Sequence, residues 1–377
     1  MSDHADADEE YDPVERRSEI VFCYDAVDAN PNGNPLSGAN RPRIDPRTEQ
    51  AIVTDVRLKR YLRDQLDADG HGVYVQNVKD EAGNQAQRWE LLRNCLTSLD
   101  PDEWDLDALD DEGEAELREA VFGAFLDDAA DVRYFGATMS MDMQGSYEAF
   151  AEYLPDHFTG PVQFSPGKTI HAVTENEEYD SLTSVIATGE NKEQGGFDLD
   201  DHRIQYGFIA FHGLIDEHGA DDTKLSAADV ERLDTLCWRA IKNQTISRSK
   251  VGQEPRLYLR VEYADEGYHV GGLSRDVTVD ESASEPVDEI RTVRDLTVDL
   301  TDLVGRLGRH ADRIARVRVA VSDVLDVTID GERLTAGDTA GSHELHDALR
   351  EAVGDDAVDV VDVYGEAART MPAASDD

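Results

Sequence analysis

The sequence predicts an α+β fold, on three observations. Segments of alternating apolar residues at 19–27 and 205–215 indicate strands. Segments with helical periodicity begin after Thr54 and Ser226, two residue types that cap helices. The core order is strand, helix, strand, insertion, strand, helix, strand. That order matches the split βαβ or ferredoxin-like arrangement, which RNA-recognition domains also use.

The first half of this order begins with a strand and continues through a turn to a helix. In the strand at 19–27, Ile20, Phe22, Tyr24 and Ala26 share one side. A dense turn signal follows at 30–35, and an extended loop rich in Arg and Pro follows at 41–46. Thr54 then caps a helix that runs to about residue 66. Its predicted buried stripe consists of Leu58, Tyr61, Leu62 and Leu66.

Shorter elements follow this helix. We expect a short strand at 73–75 and a helical insertion at 80–130, with its clearest helices at 89–96 and 114–126. An ordered element resumes at 131–136, and another strand is predicted at 161–164. Residues 172–202 lack apolar periodicity and indicate an exposed loop or hairpin.

The second half repeats the pattern of strand, helix and strand. The strand at 205–215 precedes a helix that Ser226 opens with a capping box. A loop at 247–256 leads into an alternating strand at 257–263, and a strand pair is predicted within 314–329. Residues 275–295 are predicted to be loosely ordered. The buried face of the helix is predicted to contain Val230, Leu233, Cys237, Ala240 and Ile241.

Composition limits the class of protein. The chain has 377 residues, of which 82 are acidic and 36 basic, and its formal net charge is −46. The acid is spread along the chain, which indicates a surface adapted to a salt-rich cytosol; binding of basic partners is the alternative. The three cysteines are far apart, so neither a zinc knuckle nor a disulfide framework is indicated, and each is expected to be buried. We expect no cofactor, no membrane partner and a cytoplasmic location.

Cations are concentrated in two windows. The first, 41–63, has seven cations against three anions. The second, 239–260, has six cations against Glu254 alone. Cations concentrated in two windows of an otherwise acidic chain predict a polyanionic partner. In molar salt the Debye length falls to about 3 Å, so a nucleic-acid binder there needs direct hydrogen-bonded contacts.

Each window also has a structural explanation. The turn at 30–35 offers amide side chains to phosphate or ribose, but it is also an ordinary tight turn. The helix cations could instead pair internally, Lys59 with Asp55 and Arg60 with Asp64. The loop at 247–253 combines hydroxyls, cations and a glycine, which suits a phosphate but also suits a basic turn.

Catalytic signals are weak. The patterns Gly-x-Ser-x-Gly and His-Glu-x-x-His are absent from the sequence. Asp45 and Asp55 flank the first basic window and could in principle hold a metal ion, but no catalytic residue and no metal site are predicted.

Five motifs in order resemble a known family: the turn at 30–35, the loop at 41–46, residues 53–60, residues 131–136 and residues 247–250. The chain resembles the Cas-seven family, the repeated backbone subunit of the CRISPR Cascade complex, and it is most similar to the Csh type of type I-B systems. The match covers residues 19–263. The acidic surface fits a haloarchaeal member.

The resemblance implies a hand-shaped, modified RNA-recognition fold. Its palm would be a discontinuous ferredoxin-like core at 18–79, 131–165 and 203–330. Residues 80–130 would form helical fingers and 166–202 a thumb hairpin. Residues 1–17 would be a disordered acidic tail and 331–377 a C-terminal extension.

The resemblance also implies which residues contact the guide RNA. We expect these residues to contact the RNA backbone rather than the bases. The contacts would come from the two sets of cations, from the amides of the turn and from the base of the thumb. The implied RNA-binding residues are Asn30, Asn32, Arg41, Arg43, Lys59, Arg60, Lys168, Arg248, Lys250 and Arg256.

The implied function is non-catalytic. Copies of the chain would stack along the crRNA and present it to target DNA. Further partners would be a crRNA-processing endonuclease, a Cas-five-type subunit and a large subunit. One alternative is a type III-like RNase that cleaves target RNA with Asp45 and a divalent metal. Another is an acidic scaffold whose cationic patches only pair internally.

Overall fold

The computed structural model describes residues 11–33, 40–76, 86–101, 104, 109–139, 147, 149–176, 202–245 and 250–365. The helices of these residues are α1 (Asp55–Ala68), α2 (Arg88–Asn94), α3 (Asp111–Asp128), α4 (Ala130–Phe135), α5 (Glu217–Thr223), α6 (Ala227–Lys242), α7 (Thr301–Arg309) and α8 (Leu345–Val353). The strands are β1 (Ser18–Ala29), β2 (Ile52–Val53), β3 (Gly136–Thr138), β4 (His157–Thr159), β5 (Val162–Phe164), β6 (Gly167–Thr169), β7 (Ile204–Ile215), β8 (Gln253–Tyr263), β9 (Thr278–Val279), β10 (Thr297–Asp299), β11 (Ile314–Val321), β12 (Asp326–Ile329), β13 (Glu332–Leu334) and β14 (Val358–Val360). The mixture confirms the predicted α+β class.

The main sheet is organised around β1. Its strand order is β14-β11-β8-β1-β7-β6-β2, and β5 also pairs with β7. The central strand β1 runs antiparallel to both β7 and β8. The predicted side-chain alternation is confirmed, because Ile20, Phe22, Tyr24 and Ala26 all lie in one hydrophobic core.

Both predicted helices pack on this same face of the sheet. Thr54 caps α1, since its hydroxyl accepts a hydrogen bond from the Arg57 backbone N–H at 3.3 Å. Ser226 caps α6 through a reciprocal box with Asp229, at 3.1 and 3.2 Å. The predicted buried stripes are confirmed in both helices, and their apolar residues belong to one core with those of β1.

The opposite face of the sheet is covered by the C-terminal part of the chain. Val21 and Cys23 of β1 pack there in a second core with Leu303 of α7 and Leu349 of α8. The last strand, β14, joins the main sheet in parallel with β11. The helix α8 and the strand β14, which lie in the expected C-terminal extension, therefore join the second core and the main sheet respectively.

The prediction of a strand pair within 314–329 was half right. Both strands exist, but they belong to different sheets. β11 lies between β8 and β14, whereas β12 lies between β10 and β13 in a four-stranded sheet. Their closeness in sequence predicted that the two strands pair with each other, but each pairs with other strands instead.

Two further expectations were wrong. Residues 73–75 are not a strand, because the Tyr74 and Val75 backbone N–H groups donate to the buried carboxylate of Asp131, at 2.7 and 3.1 Å. Residues 275–295 are ordered by side-chain caps, such as Asp280 accepting from Ser282 N at 2.9 Å.

The described part of the expected tail, 11–17, packs against the body. The Ala227 N–H donates to the Asp12 carbonyl at 3.0 Å. The Arg17 guanidinium binds Glu217 at 2.8 Å. These two contacts fix the segment that enters β1.

The predicted helical insertion has a core of its own. Leu117, Val121 and Phe125 of α3 pack with Leu92 of α2 and with Phe150. Both predicted helices of the insertion are confirmed. Most of the expected thumb, 177–201, lies outside the described residues. The three cysteines are buried, as expected. Within the described residues, we find no helix with the length and apolarity to cross a membrane.

Candidate nucleic-acid interface

The candidate interface lies where β1 ends and α1 begins. The Asn32 carboxamide oxygen accepts hydrogen bonds from the backbone N–H and the hydroxyl of Thr54, at 2.7 and 2.8 Å. Thr54 in turn caps α1 at Arg57. Asn32 is 4% exposed. The structure therefore places it as a support for the first turn of α1, which presents Arg57.

Asn30 connects three segments of the interface. Its side-chain amide donates to the Asn40 carbonyl at 2.7 Å, and its own carbonyl accepts a hydrogen bond from the Lys250 ammonium. An isolated bridge between Gly33 and Pro42 holds the Arg-rich loop against the same turn. The turn, the loop and the second basic cluster are thus brought together, although they are far apart in sequence.

The loop that carries Lys250 is held against β1 by a glycine. Gly252 has φ +105°, and a Cβ atom at that position would lie 2.3 Å from the Val27 carbonyl oxygen. Its own carbonyl accepts from the Val27 N–H at 2.8 Å. The Gln253 side chain donates to the Lys250 carbonyl at 3.1 Å. These contacts fix the position of Lys250 beside α1.

Arg57 and Lys250 form what we call the cation pair. The Arg57 guanidinium lies over the Tyr61 ring, 5.7 Å from its centroid. Burial, and then the positive charge of Arg57, lower the pKa of Lys250 to about 7. Among the described residues, no carboxylate forms an ion pair with either cation. On a chain of net charge −46, this is an electropositive site without an internal counterion.

Unpaired acceptors lie next to the cation pair. The Asn30 Oδ1, Gln253 Oε1 and Tyr24 hydroxyl oxygen atoms are buried and have no hydrogen-bond partner in the described part of the chain. Buried polar atoms without partners are uncommon in proteins and need an explanation. Cations suit phosphate oxygens. The three oxygens are buried, so the cations are the groups of this site that can meet a ligand.

The Arg-rich loop supplies two further predicted residues. Arg41 is exposed, and its guanidinium lies 3.7 Å from Glu175, a distance typical of a weak surface pair. The Arg43 Nε is buried without a hydrogen-bond partner among the described residues. Arg43 therefore resembles Arg57 and Lys250, because none of the three has a carboxylate partner with an ion pair of this kind among the described residues.

The two helix cations proposed as contacts have partners within the chain, Lys59 in a buried position and Arg60 at the surface. Lys59 is 9% exposed and donates to Gln163 Oε1 at 2.6 Å, and burial lowers its pKa. Arg60 pairs with Asp64 at 2.7 Å, as the internal alternative predicted. Lys59 also lies 4.0 Å from Asp55. The structure leaves Lys59 almost no surface for a ligand.

Arg256 lies on the other face of the sheet. A register shift between Cys23 and Tyr24 in the β1–β8 pairing interrupts the side-chain alternation. The Arg256 Nε lies 2.9 Å from Asp25, which Tyr206 of the second core also contacts. Burial raises the pKa of Asp25 to about 6, against the opposing effect of Arg256. Arg256 is therefore paired within the protein, and its expected phosphate contact stays a prediction.

Lys168 stands apart from the cation pair. Lys168 is half exposed on β6 and lies 3.7 Å from Asp45. Arg248 lies outside the described residues. Asp45 accepts a hydrogen bond from the Arg47 N–H at 3.0 Å, and that bond is the main reason its pKa is lowered. The described residues contain no group of three side chains able to hold a metal ion around it.

Arg57 was counted in the first basic window but was not selected as a contact. The available signal was its place in the first helical turn, directly after the residue that caps α1. That turn faces the segment 30–33, so a first-turn cation is nearer to it than Lys59 or Arg60.

Comparison with known proteins defines the family. Residues 16–301 match the family model described as CRISPR-associated protein Cas7. A curated protein with that description, from Haloferax volcanii, is 51% identical over 348 residues, which cover 89% of this chain and 97% of the relative. The chain therefore belongs to the Cas7 family.

Two solved structures are distantly similar. One is a chain of a CRISPR RNA-guided surveillance complex, pre-nicking, with 14% identity, a TM-score of 0.44, and coverage of 83% of this chain and 96% of that chain. The other is from a CRISPR RNA-guided surveillance complex, with 15% identity, a TM-score of 0.41, and coverage of 81% and 88%.

Proposed function

We propose that this chain is a non-catalytic crRNA-binding subunit that polymerises along the guide RNA to form the backbone of a Cascade complex. Membership of the Cas7 family supports the class of function. The observation that carries the proposal to particular residues is the cation pair. The charge of Arg57 lowers the pKa of Lys250, and neither cation has a carboxylate partner in the described residues of this acidic chain.

A phosphodiester would complete this site. It would supply the negative charge that the cation pair lacks and would accept the guanidinium and ammonium hydrogen bonds. Asn30 and Gln253 are each 3% exposed and hydrogen-bond Lys250, so we assign them to positioning that cation and not to contact with ribose. Val56 and Val251, beside the two cations, are 68% and 53% exposed and offer apolar contact to the sugars.

The contact set changes in consequence. We propose Arg57 and Lys250 as the central contacts, with Arg41 and Arg43 around them. The expected contact by Arg248 lies outside the described residues and stays a prediction. Asn30 holds Lys250 through its carbonyl, and Asn32 acts through the N-terminal turn of α1. We propose positioning roles for Lys59, Arg60 and Arg256. Lys168 belongs to a separate site.

The palm is proposed to be ferredoxin-like. The order β8-β1-β7-β6, antiparallel throughout, with α1 and α6 on one face, supports that description. The other face is covered by the second core. RNA-recognition domains stack bases on an open sheet face, so the covered face favours backbone contacts at the edge instead.

The assembly and subtype are also part of the proposal. Copies of the chain would follow one another along the crRNA, with the insertion at 80–130 and the thumb at 166–202 as their extensions. The complex would be of type I-B and would present the guide to target DNA together with the other Cascade subunits. The relative from Haloferax volcanii and the acidic composition support a haloarchaeal member.

The test is retention of RNA by purified protein. We expect the wild-type chain to co-purify with short RNAs that share a constant 5′ handle, and the double variant R57A/K250A to lose them. The control R294A/R309A removes two exposed arginines that have no ion pair among the described residues. Each lost phosphate contact should shallow the salt dependence of binding by about 0.7 on a log–log plot. Equal RNA retention by both double variants, with folding verified by circular dichroism, would contradict the proposal.

The same preparation tests the RNase alternative. Wild-type protein is incubated with target RNA and magnesium, and Asp45→Ala is the comparison. We expect no cleavage by either protein. Cleavage that is lost in Asp45→Ala would replace the non-catalytic function by the type III-like one.

A further inference from the structure

A second electropositive cavity lies on the opposite face of the sheet from α1 and α6. It has a volume of about 510 Å³ and is bounded by β6, by Ala210 of β7 and by the short 3-10 turn Leu273–Asp276. Ile170 and Val277, which belong to the second core or pack against it, form its apolar floor. The cavity is therefore separate from the cation pair.

The polar lining of this cavity is suited to an anion. Two cations, Lys168 and Arg275, face it together with the hydroxyl residues Ser165, Thr169 and Ser274. No aspartate or glutamate is among its lining residues in the described part of the chain. Because acidic residues outnumber basic ones 82 to 36, a cavity of this size without a carboxylate is an informative exception.

The position of Arg275 is fixed by a buried carboxylate. Glu19 of β1 accepts hydrogen bonds from the backbone N–H groups of Gly271 and Leu273, at 2.9 and 3.0 Å. Gly271 and Gly272 have φ of +84° and +72°, a conformation that turns successive N–H groups towards one anion. The loop that bears Arg275 is thereby held against the central strand.

Further bonds to Glu19 strengthen this anchor. The Tyr263 hydroxyl donates to it at 2.9 Å, and a His212 ring nitrogen lies 2.8 Å from it. Burial would raise the pKa of Glu19, but the hydrogen bonds outweigh it and hold the pKa at about 2. The anchor is therefore charged at any physiological pH, and the turn after it is well positioned.

Both cations are available to a ligand. Lys168 is 51% exposed, and its only ion pair in the described residues is the 3.7 Å contact with Asp45 at the rim. Exposed pairs of that length contribute little and can exchange for a better anion. Arg275 is exposed, and within the described part of the chain its guanidinium forms no ion pair.

We propose that the cavity between Lys168 and Arg275 binds a phosphodiester group of a nucleic-acid strand. The inference rests on the proposed function and adds a second, separate contact on the other face of the sheet. The phosphate has two sources, the guide strand itself or the strand that pairs with it. Lys168 thereby keeps a nucleic-acid role, at a site different from that of the cation pair.

The experiment compares single variants of the full-length chain. The variants are Arg275→Ala and its conservative partner Arg275→Lys. The matched control is Arg294→Ala, an exposed arginine in another short 3-10 turn, Val293–Asp295. Binding of a synthetic single-stranded RNA is measured over a salt series, and binding of a complementary DNA strand by the RNA-loaded protein is measured in parallel. R57A/K250A reports on the first site in the same assays.

Each source gives a distinct result. If the phosphate belongs to the guide, Arg275→Ala shallows the salt slope of RNA binding by about 0.7, and Arg275→Lys restores it. If it belongs to the paired strand, RNA binding is unchanged and the complementary strand binds with a shallower slope. Arg275→Ala matching Arg294→Ala in both assays would overturn the inference. Where R57A/K250A still weakens RNA binding, the proposed function survives that result.

Discussion

At the scale of single residues, partners distant in sequence determine which cations remain available. Arg63 binds Asp131, Arg239 binds Asp69 and Arg260 binds Asp234, and all three carboxylates are buried. Counting charges within a window of sequence could not reveal these pairs, because each acid lies outside the window. The basic surface is therefore smaller than the sequence indicated, and its centre is the cation pair.

The cation pair predicts a pH dependence of RNA binding. The pKa of Lys250 is about 7 in the free protein, and a phosphate beside the ammonium would raise it by stabilising the charged form. Binding then takes up a proton at pH values between the free and the bound pKa. We expect affinity for single-stranded RNA to fall as the pH rises above 7, measured by fluorescence anisotropy at fixed salt.

Lys250→Arg is the control for this effect, because a guanidinium stays charged over the whole range. Its affinity should vary less with pH than that of the wild type. A wild-type profile that coincides with that of Lys250→Arg would show that Lys250 does not titrate on binding.

At the scale of elements, local signals predicted what local forces determine. The strand β1 and the capped starts of α1 and α6 follow from alternation and from Thr54 and Ser226, since both act within a few residues. The misplaced residues follow from distant contacts. The carboxylate of Asp131 accepts hydrogen bonds from the Tyr74 and Val75 N–H groups, which were expected to pair in a strand. A register shift next to Cys23 places Arg256 on the other face of the sheet.

Asp131 joins the segment after α1, α1 itself and α4. Asp131→Ala would leave the Arg63 guanidinium and two backbone N–H groups without their partner. Breaking a buried pair in this way costs about 3–5 kcal/mol, and we expect urea unfolding at fixed salt to show a loss of that size.

Asp64→Ala removes the same chemical group from an exposed pair with Arg60, where both side chains are about two-fifths exposed. The expected loss is about 0–1 kcal/mol. Equal losses for Asp131→Ala and Asp64→Ala would show that the buried network contributes no more than a surface pair.

At the scale of the whole molecule, two cores lie on opposite faces of one sheet. The helix-covered face was predictable, because its residues fall in two regular patterns near capped helices. The face covered by α7 and α8 was not predicted, because the helices and strands of residues 264–365 are short and reach the sheet only through long-range contacts. The candidate site lies where the central strand β1 ends and α1 begins. Local patterns predicted these two elements, whereas tertiary contacts determined which side chains lie together there.

The net charge of −46 predicts that salt affects stability and RNA binding in opposite directions. Repulsion among surface carboxylates opposes the compact state and is screened by ions, with a Debye length of about 10 Å at 0.1 M and about 3 Å at 1 M. We expect the thermal unfolding midpoint to rise over a potassium chloride series while RNA affinity falls. Sucrose at matched osmolality serves as the uncharged control, and a midpoint that salt leaves unchanged would contradict the prediction.

The central position of β1 has a consequence for how the chain is made. This strand leaves the ribosome early, yet both of its neighbours, β7 and β8, are synthesised much later. The donors for Glu19 come later still, at Gly271 and Leu273. The nascent polypeptide must therefore carry its central strand unpaired until much later residues are synthesised, and the sheet can close only when its second half has emerged.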